Sequence, residues 1–279
     1  MAAYNTPPKM IMKIILFFVF VVSSISVEGK ELFQQIKREA EYIKKTPYIV
    51  FLVTEDSNNY EAHKTVPLFA DMLEREYGYK CEVILGKGTH TAYRYPDLKS
   101  LTKADLLVVF ARRIALPHDQ MNAIKSYLRK GKPLVGIRTA NHAFQVFGKV
   151  QDGFEQWPGF VAEVLGCENR GYGSAELGTD VTIDSVALGH PVLKNVLPAK
   201  WHSTGQIYHV APLLDKEATV LLWGKVEDKT EPIAWTRTLG KSRVFYTSLG
   251  HPDDFQATPF ITLLINGIKW ALAKDGTKR

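Results

Sequence analysis

Short apolar segments that alternate with amphipathic segments most constrain how this chain folds. The apolar segments have the length of strands and lie at residues 48–53, 81–85, 105–110 and 133–137. Segments with helical periodicity follow at 66–73 and 117–130, and a further helix is expected after Asn141. Strands that are apolar on both faces need helices on both sides of a parallel sheet. The sequence therefore predicts an α/β fold with a doubly wound, mostly parallel sheet.

The second half of the chain returns to this pattern after an irregular stretch. Residues 148–218 are rich in breaks and predict loops and edge strands, with helical spacing at 157–165 and strand-like alternation at 179–184. Strand-length apolar segments then lie at 219–224, 232–237 and 243–249. Segment 260–272 is apolar almost all round, which predicts a buried helix. No linker or repeat is apparent, so residues 47–275 are expected to form one domain.

The N-terminal segment predicts export. Lys9 and Lys13 precede an apolar run at 14–22, and small serine residues follow, so residues 1–26 are expected to be a signal peptide. The run is shorter than the roughly 20 residues that a membrane-spanning helix needs. The mature protein is therefore expected to be secreted or periplasmic, with no membrane partner. Residues 27–46 are expected to form a lead-in helix.

Charge and cysteine content narrow the range of partners. The chain has 35 Lys and Arg against 29 Asp and Glu, and loss of Lys9 and Lys13 with the signal peptide leaves 33 against 29, a net charge of +4. The basic residues are scattered and no nucleic-acid-binding motif is present, so nucleic acid is not expected as a partner. Cys81 and Cys167 lack metal-binding spacing and could be paired or free.

The segment PLVGIRTANHAF, residues 133–144, runs from a predicted buried strand directly toward a helix. Such a junction can form a sharp turn that lifts one side chain above the sheet, and here that residue is Arg138. An ordinary loop between a strand and a helix would look similar. Gly136 permits close packing, and Asn141 could simply cap the following helix.

Two motifs resemble those of class I glutamine amidotransferases. PLVGIRTANH is similar to their PxxGICxGxQ elbow, and HPDD, residues 251–254, is similar to their His-Pro-Glu motif. In those enzymes the elbow cysteine attacks an amide while the histidine, oriented by the acid, acts as a base. Arg138 stands at the cysteine position. A guanidinium group cannot act as a nucleophile, so glutaminase activity is not expected.

The chain resembles the trehalose utilisation (ThuA-like) family more closely. The shared strings are FARRIALPHDQMNAIKSYLRKGKPLVGIRTANHAF, EPIAW, RVFYTSLGHPDDF and a helix ending in NGIKWAL, so that the resemblance spans residues 47–273. It implies a class I glutamine amidotransferase-like fold, a flavodoxin-like three-layer sandwich, and a role in carbohydrate metabolism. Similar sequences often carry a glycosyl hydrolase description. Some members have a histidine at the elbow, whereas others resemble this chain at Arg138.

His251 and Asp253 are the strongest candidates for catalysis. His251 follows an apolar strand and lies between Gly250 and Pro252, which fixes its backbone near the carboxyl ends of the strands. Asp253 could orient the ring for acid/base chemistry. Alternatively, Asp253 or Asp254 could cap the last helix.

Arg138 and His142 are the candidates at the elbow. Arg138 can bind and polarise an oxygen-rich group, such as a carboxylate, a phosphate, a carbonyl or a sugar hydroxyl. His142 lies four residues further on and is a second candidate for catalysis. A solvated or hydrogen-bonded histidine would show the same pattern.

Two further loops add candidates for substrate binding, because ligands bind beyond the carboxyl ends of the strands in such sheets. Arg112 and Arg113 follow the third strand, and we expect one of them to face the ligand. The alternative for these arginines is a salt bridge with Asp105 or Asp119. The loop after the first strand contributes four polar residues. These are Glu55, Asp56, Tyr60 and His63, of which Glu55 is the preferred acid.

Metal ligands are not evident in the sequence. His202 and His209 could be combined with His251, but the chain has no HxH or HExxH motif. No metal and no cofactor are therefore predicted. Most tryptophans are expected in the core, although one or two could stack on a sugar.

These observations lead to two hypotheses of function. The first is an exported enzyme that acts on a sugar or keto-sugar by acid/base chemistry, through hydrolysis, elimination or isomerisation. The second is a non-catalytic carbohydrate-binding or accessory protein with the same fold. A small-molecule carbohydrate is the expected partner in both, and the sequence leaves the oligomeric state open.

Overall fold

The computed structural model describes Gly29, Glu31 and residues 46–273. The predicted signal peptide at 1–26 and the lead-in helix, apart from isolated positions, lie outside the described residues. The chain divides between Thr46 and Pro47. The fold below is that of the unit that begins at Pro47.

A single sheet of ten strands forms the centre of this unit, in the order β3-β2-β1-β4-β6-β12-β11-β10-β8-β9. The strands of this sheet are β1 (Tyr48–Thr54), β2 (Lys80–Thr89), β3 (Ala92–Arg94), β4 (Leu106–Phe110), β6 (Leu134–Ile137), β8 (Thr179–Ile183), β9 (Lys200–Ser203), β10 (Thr219–Val226), β11 (Lys229–Leu239) and β12 (Ser242–Thr247). A separate two-stranded sheet joins β5 (Leu116–Pro117) to β7 (Phe154–Glu155). The five central strands β2, β1, β4, β6 and β12 are parallel. The remaining strands extend the sheet in antiparallel fashion.

Helices cover both faces of the sheet. Helices α1 (Ala62–Tyr77) and α3 (Thr258–Leu272) contribute to one apolar cluster, with Phe69 and Leu263 among its buried residues. Helix α2 (His118–Arg129) belongs to a second cluster. Alternate residues of the central strands enter each cluster, as strands that are apolar on both faces require. The predicted α/β fold with a parallel centre is therefore confirmed.

The helix expected after Asn141 is absent. Arg138–His142 form a single short 3₁₀ turn instead. The backbone N–H groups of Arg113 and Ile114 donate to the carbonyls of His142 and Ala143, at 3.2 and 2.7 Å. These two carbonyls therefore accept hydrogen bonds from the loop after β4, and not from residues that would extend a helix.

Other local predictions have mixed outcomes. The helical spacing at 157–165 yields only a five-residue π-helical turn, Val161–Leu165, which Gly166 ends in a left-handed conformation. The strand predicted at 179–184 and the buried final helix are both confirmed. Cys81 and Cys167 are both free thiols. Within the described residues, no helix has the length and apolar character needed to cross a membrane.

Candidate functional site

Three loops meet at the carboxyl ends of β1, β4 and β6, and the buried Asn59 connects them. Its amide nitrogen donates to the carbonyls of Thr54 and Phe110, at 3.3 and 2.8 Å. Its amide oxygen accepts a 2.6 Å hydrogen bond from the Thr139 hydroxyl. The three loops that the topology predicts to lie together are therefore joined by one asparagine.

Backbone strain is concentrated in the same three loops. Tyr60, Glu61, Arg113 and Arg138 have φ values of 52°, 50°, 49° and 45°. These are four of the six described residues other than glycine with a positive φ. A left-handed conformation is costly for such side chains and persists where the surrounding structure enforces it, which is a common property of functional sites.

Arg138 occupies the sharp turn that the sequence predicts after β6. Its side chain is only 1% exposed. One terminal nitrogen, Nη1, donates a 2.7 Å hydrogen bond to the carbonyl of Ser248. The other, Nη2, makes a longer contact of 3.5 Å with the carbonyl of Gln206. Arg138 is thus enclosed in this structure and does not offer the open guanidinium face that direct substrate binding would need.

Two aromatic rings and one glycine complete the enclosure of Arg138. The guanidinium carbon lies 3.9 Å from the ring centre of Tyr60 and 5.0 Å from that of Tyr208. Both distances are within the range of cation–π attraction. A Cβ atom at Gly205 would lie 2.8 Å from Nη1, so only glycine lets the chain pass this close.

Tyr60 lies between Arg138 and His251. Its hydroxyl accepts a 3.1 Å hydrogen bond from the amide of Gln206. Its ring meets the His251 ring edge to face, with 6.0 Å between the ring centres. Burial alone would raise the pKa of Tyr60, but the positive charge of Arg138 and several hydrogen bonds to the phenol lower it overall. Tyr60 is therefore a more acidic phenol than an exposed tyrosine.

His251 begins a short 3₁₀ helix, Pro252–Gln256, and its two neighbouring aspartates have separate roles. The Asp254 carboxylate accepts backbone N–H groups of Gly250 and His251, at 2.7 and 2.8 Å. Asp254 therefore fixes the backbone. Asp253 faces the ring, with its carboxylate 3.5 Å from His251 Nδ1. Asp253 is thus placed to orient the ring, whereas the alternative that Asp253 or Asp254 caps the last helix is wrong: Asp254 completes the capping box of the short 3₁₀ helix, and α3 begins after Ala257 without a side-chain cap.

Thr204 links the His251 ring to Asp253. The Thr204 hydroxyl lies 2.7 Å from the Asp253 carboxylate and 2.8 Å from His251 Nδ1. The hydroxyl has one proton, which the carboxylate attracts, so Nδ1 is assigned as the donor to the threonine oxygen; the backbone N–H of Asp253 points to the same nitrogen, but at 3.5 Å this is the longer contact. This assignment leaves Nε2 as the basic nitrogen. Burial and the charge of Arg138 lower the pKa of His251, although Asp253 and Asp254 oppose the shift.

His142 is buried among polar partners rather than open to solvent. Its Nδ1 lies 2.6 Å from Asn141 Oδ1, 3.0 Å from Asn169 Nδ2 and 3.1 Å from the Tyr172 hydroxyl. Burial, followed by the charges of Arg113, Arg112 and Arg138, holds the pKa of His142 well below its usual range. A neutral, enclosed imidazole suits a structural role better than proton transfer to a substrate.

Arg112 and Arg113 both line one cleft of about 210 Å³, together with His90 and Phe147. The prediction was that one of the two arginines faces a ligand, and the two side chains border the same cleft. Adjacent side chains of an extended strand would point to opposite sides, but the left-handed backbone at Arg113 turns its side chain back toward that of Arg112. The predicted salt-bridge partner was misassigned, because Arg112 pairs with Asp56 at 3.4 Å.

The remaining predicted residues are dispersed. Glu55 is exposed, and its backbone N–H donates to the Tyr93 hydroxyl. Asp56, rather than Glu55, is the acid that pairs with Arg112. His202 bonds to Asp180 and His209 bonds to Glu231, so neither joins His251. Across the described residues, no group of three His, Cys, Asp or Glu side chains has an arrangement that could hold a metal ion.

Several residues of the site were not identified from the sequence. They are His90, Asn169, Tyr172, Thr204, Gln206 and Tyr208. Apart from His90, they come from the irregular segment at 148–218, where no periodic pattern indicates a direction for the side chains. The density of polar residues in the string WHSTGQIYHV was the one available signal.

The chain is similar to a known protein family. The model of the family described as ThuA, trehalose utilisation, matches residues 49–271. No curated protein matches the chain.

Solved structures show a related fold. A ThuA-like protein from Bacteroides uniformis has a TM-score of 0.61 and 20% identity, over 83% of this chain and 94% of that protein. A ThuA-like protein from Parabacteroides merdae has a TM-score of 0.61 and 17% identity, over 84% and 93%. A cytoplasmic protein from Salmonella typhimurium has a TM-score of 0.54 and 13% identity, over 80% and 99%. At these identities the likeness shows the fold.

Proposed function

The chain belongs to the trehalose utilisation (ThuA) family, and on that premise we propose that it acts on a sugar or keto-sugar by proton transfer. The observation that carries this proposal is the grouping of Arg138, Tyr60 and His251 at the carboxyl edge of the parallel strands. Tyr60 and His251 are both half-buried and can both exchange protons, and the enclosed positive charge of Arg138 acts on both of them. The reaction class is elimination, isomerisation or hydrolysis assisted by an acid and a base.

Arg138 does not act as a nucleophile in this proposal. It stands where a glutaminase has cysteine, and its guanidinium stays protonated at any ordinary pH. Its enclosed charge instead acts through the electric field. That field favours the neutral form of His251 and the anionic form of Tyr60, the direction of the pKa shift at each residue.

His251 is the proposed base. Its Nε2 is free of the Thr204–Asp253 relay, and the lowered pKa keeps the ring neutral at ordinary pH. A neutral imidazole can remove a proton from a sugar hydroxyl or from the carbon next to a sugar carbonyl. Asp253 would stabilise the imidazolium that forms, as a carboxylate does for a catalytic histidine.

Tyr60 is the proposed acid. Its phenol lies next to the His251 ring, so one group could accept a proton while the other delivers one. The positive charge of Arg138 beside Tyr60 would also stabilise negative charge that develops on a substrate oxygen. The site therefore has the parts needed for a proton shift within one sugar.

A proton-exchange experiment tests the proposal. The purified protein is incubated in D₂O with disaccharides and their 3-keto forms, and deuterium uptake or product formation is followed by NMR and mass spectrometry. We expect uptake at a carbon next to a carbonyl, and its loss in His251→Asn. Binding of a sugar without exchange or conversion would contradict an enzymatic function.

The alternative is a carbohydrate-binding protein without catalysis, and Phe147 favours it. This side chain is 76% exposed and carries the guanidinium of Arg113 at 4.1 Å from its ring centre. An exposed ring beside hydrogen-bonding groups is a common platform for a sugar. The proton-exchange experiment separates the two functions, because a binding protein would bind without exchange.

We also propose that the protein is exported and that its fold is of the class I glutamine amidotransferase-like type. The basic and apolar N-terminal segment supports a signal peptide at 1–26, which N-terminal sequencing of the protein from its native host would test. Helices on both faces and the left-handed turn at Arg138 support a doubly wound, class I glutamine amidotransferase-like sandwich of three layers.

A further inference from the structure

The cleft described above has a positive charge that the acid/base reaction does not use. Arg112, Arg113, His90 and Phe147 line it. Arg112 is paired with Asp56, but only at 3.4 Å. Arg113 donates to the hydroxyl of Tyr172 at 3.0 Å, and no carboxylate within residues 46–273 lies in ion-pairing distance of it. Two arginines and one aspartate leave one positive charge without a partner.

The arginines are held in place rather than free on the surface. The Arg113 carbonyl accepts a 2.9 Å hydrogen bond from His90 Nδ1, and its N–H bonds to the His142 carbonyl at 3.2 Å. The guanidinium of Arg113 packs against the Phe147 ring. These contacts hold the backbone of Arg113 in its left-handed conformation, and that conformation keeps its side chain in the cleft beside Arg112. The arrangement has the features of a preorganised binding site.

We propose that this cleft binds the carboxylate of a sugar acid, with the sugar ring against Phe147. A planar carboxylate matches the paired N–H groups of a guanidinium, and a single negative charge balances the single unpaired positive charge. The volume of about 210 Å³ is below the range of roughly 300 to 1,000 Å³ for drug-sized ligands, which limits the cleft to about one sugar ring. The sugar part of this inference rests on the proposed function, whereas the carboxylate part rests on the cleft.

Calorimetric titration of the full chain with matched probes tests the inference. Glucuronate, galacturonate and mannuronate are each compared with their neutral methyl esters, and glucose 6-phosphate and inorganic phosphate test the other source of negative charge. We expect at least one acid to bind about tenfold or more tightly than its ester, with affinity falling as salt rises. Equal affinity of acid and ester in all three pairs would overturn the inference, as would tighter binding of either phosphate probe.

Two variants assign the effect to the cleft. Arg113→Gln should remove the preference for the acid, and Arg112→Gln gives the same test where the first variant does not fold. Arg129→Gln removes the same charge from the exposed end of α2 and should leave the preference unchanged. A preference that survives both cleft variants would place the carboxylate elsewhere. Acid binding without proton exchange would refute the proposed enzyme and leave this inference standing, whereas exchange without an acid preference would do the reverse.

Discussion

The guanidinium carbon of Arg138 lies 3.9 Å from the ring centre of Tyr60. Arg138 occupies the position of the glutaminase cysteine, so a positive charge packs against a phenol ring where those enzymes have a nucleophile. This contact joins two loops that leave the sheet at different strands, β1 and β6. It gives Arg138 a role that differs from ligand binding. The arginine is a positioning and charge-tuning residue, and its removal affects both the fold and the proposed reaction.

We expect Arg138→Ala to destabilise the protein by about 3 kcal/mol. The change leaves a cavity at the carboxyl end of β6 and deprives the buried Ser248 carbonyl of its hydrogen bond. Arg138→Lys keeps the charge and should lose less. Urea unfolding followed by circular dichroism measures both, and an unchanged midpoint for the alanine variant would show that the enclosure contributes no stability.

Tyr60→Phe should remove the basic limb from the pH profile of the proposed reaction. Tyr60 must be protonated to act as an acid, and its lowered pKa places the loss of that proton below the ordinary value of 10.0. The ring and its contact with Arg138 remain in phenylalanine. Rates of proton exchange between pH 6 and 11 give the profile, and a basic limb that persists unchanged would remove Tyr60 from the reaction.

Gly205→Ala should disturb Arg138 and His251 together. The added Cβ would lie 2.8 Å from Arg138 Nη1 and 3.1 Å from His251 Cβ, so both side chains must move. We expect a loss of stability of about 1 to 3 kcal/mol and a larger loss of turnover. Gly189→Ala is the matched control, since Gly189 has open space around it. Equal behaviour of the two variants in unfolding and exchange assays would contradict this arrangement.

The fold was largely predictable from the sequence, because apolar periodicity determines which segments are strands and which faces helices must cover. The turn at Arg138 was predictable for the same reason, as it follows a buried strand. The missing helix after Asn141 was not predictable. Its cause lies in hydrogen bonds from Arg113 and Ile114, which are distant in sequence.

The candidate site was predictable only in part. Loop positions after the strands indicated Arg112, Arg113, Arg138 and His251, since the topology brings strand ends together. The left-handed backbone that turns Arg113 toward Arg112 could not be predicted from the pattern of residues. Thr204 and Tyr208 come from an irregular segment, whose contacts depend on long-range packing.

Protonation of His142 should make stability depend on pH. Its pKa is well below 6.5 in the folded protein, so the unfolded chain binds a proton first as pH falls. Stability from the neutral ring is therefore complete above pH 6.5 and declines below it, by up to about 1.4 kcal/mol per pH unit, until the folded pKa is reached. His142→Asn should flatten this decline. Thermal unfolding from pH 4 to 8 checks it, with His118→Asn, at an exposed position, as the control.

His251 and Asp253 give the most direct test of the proposed reaction. His251→Asn keeps the size and removes the titrating nitrogen, so turnover should fall by roughly 10² to 10⁴ while binding changes little. In the parent protein the acidic limb of the profile should lie below pH 6.5, because the pKa of His251 is lowered. Asp253→Asn removes a negative charge that raises this pKa, so the limb should move to lower pH with a smaller loss of rate. Parental rates in both variants, or a limb that moves to higher pH in Asp253→Asn, would show that the pair serves the backbone turn and not proton transfer.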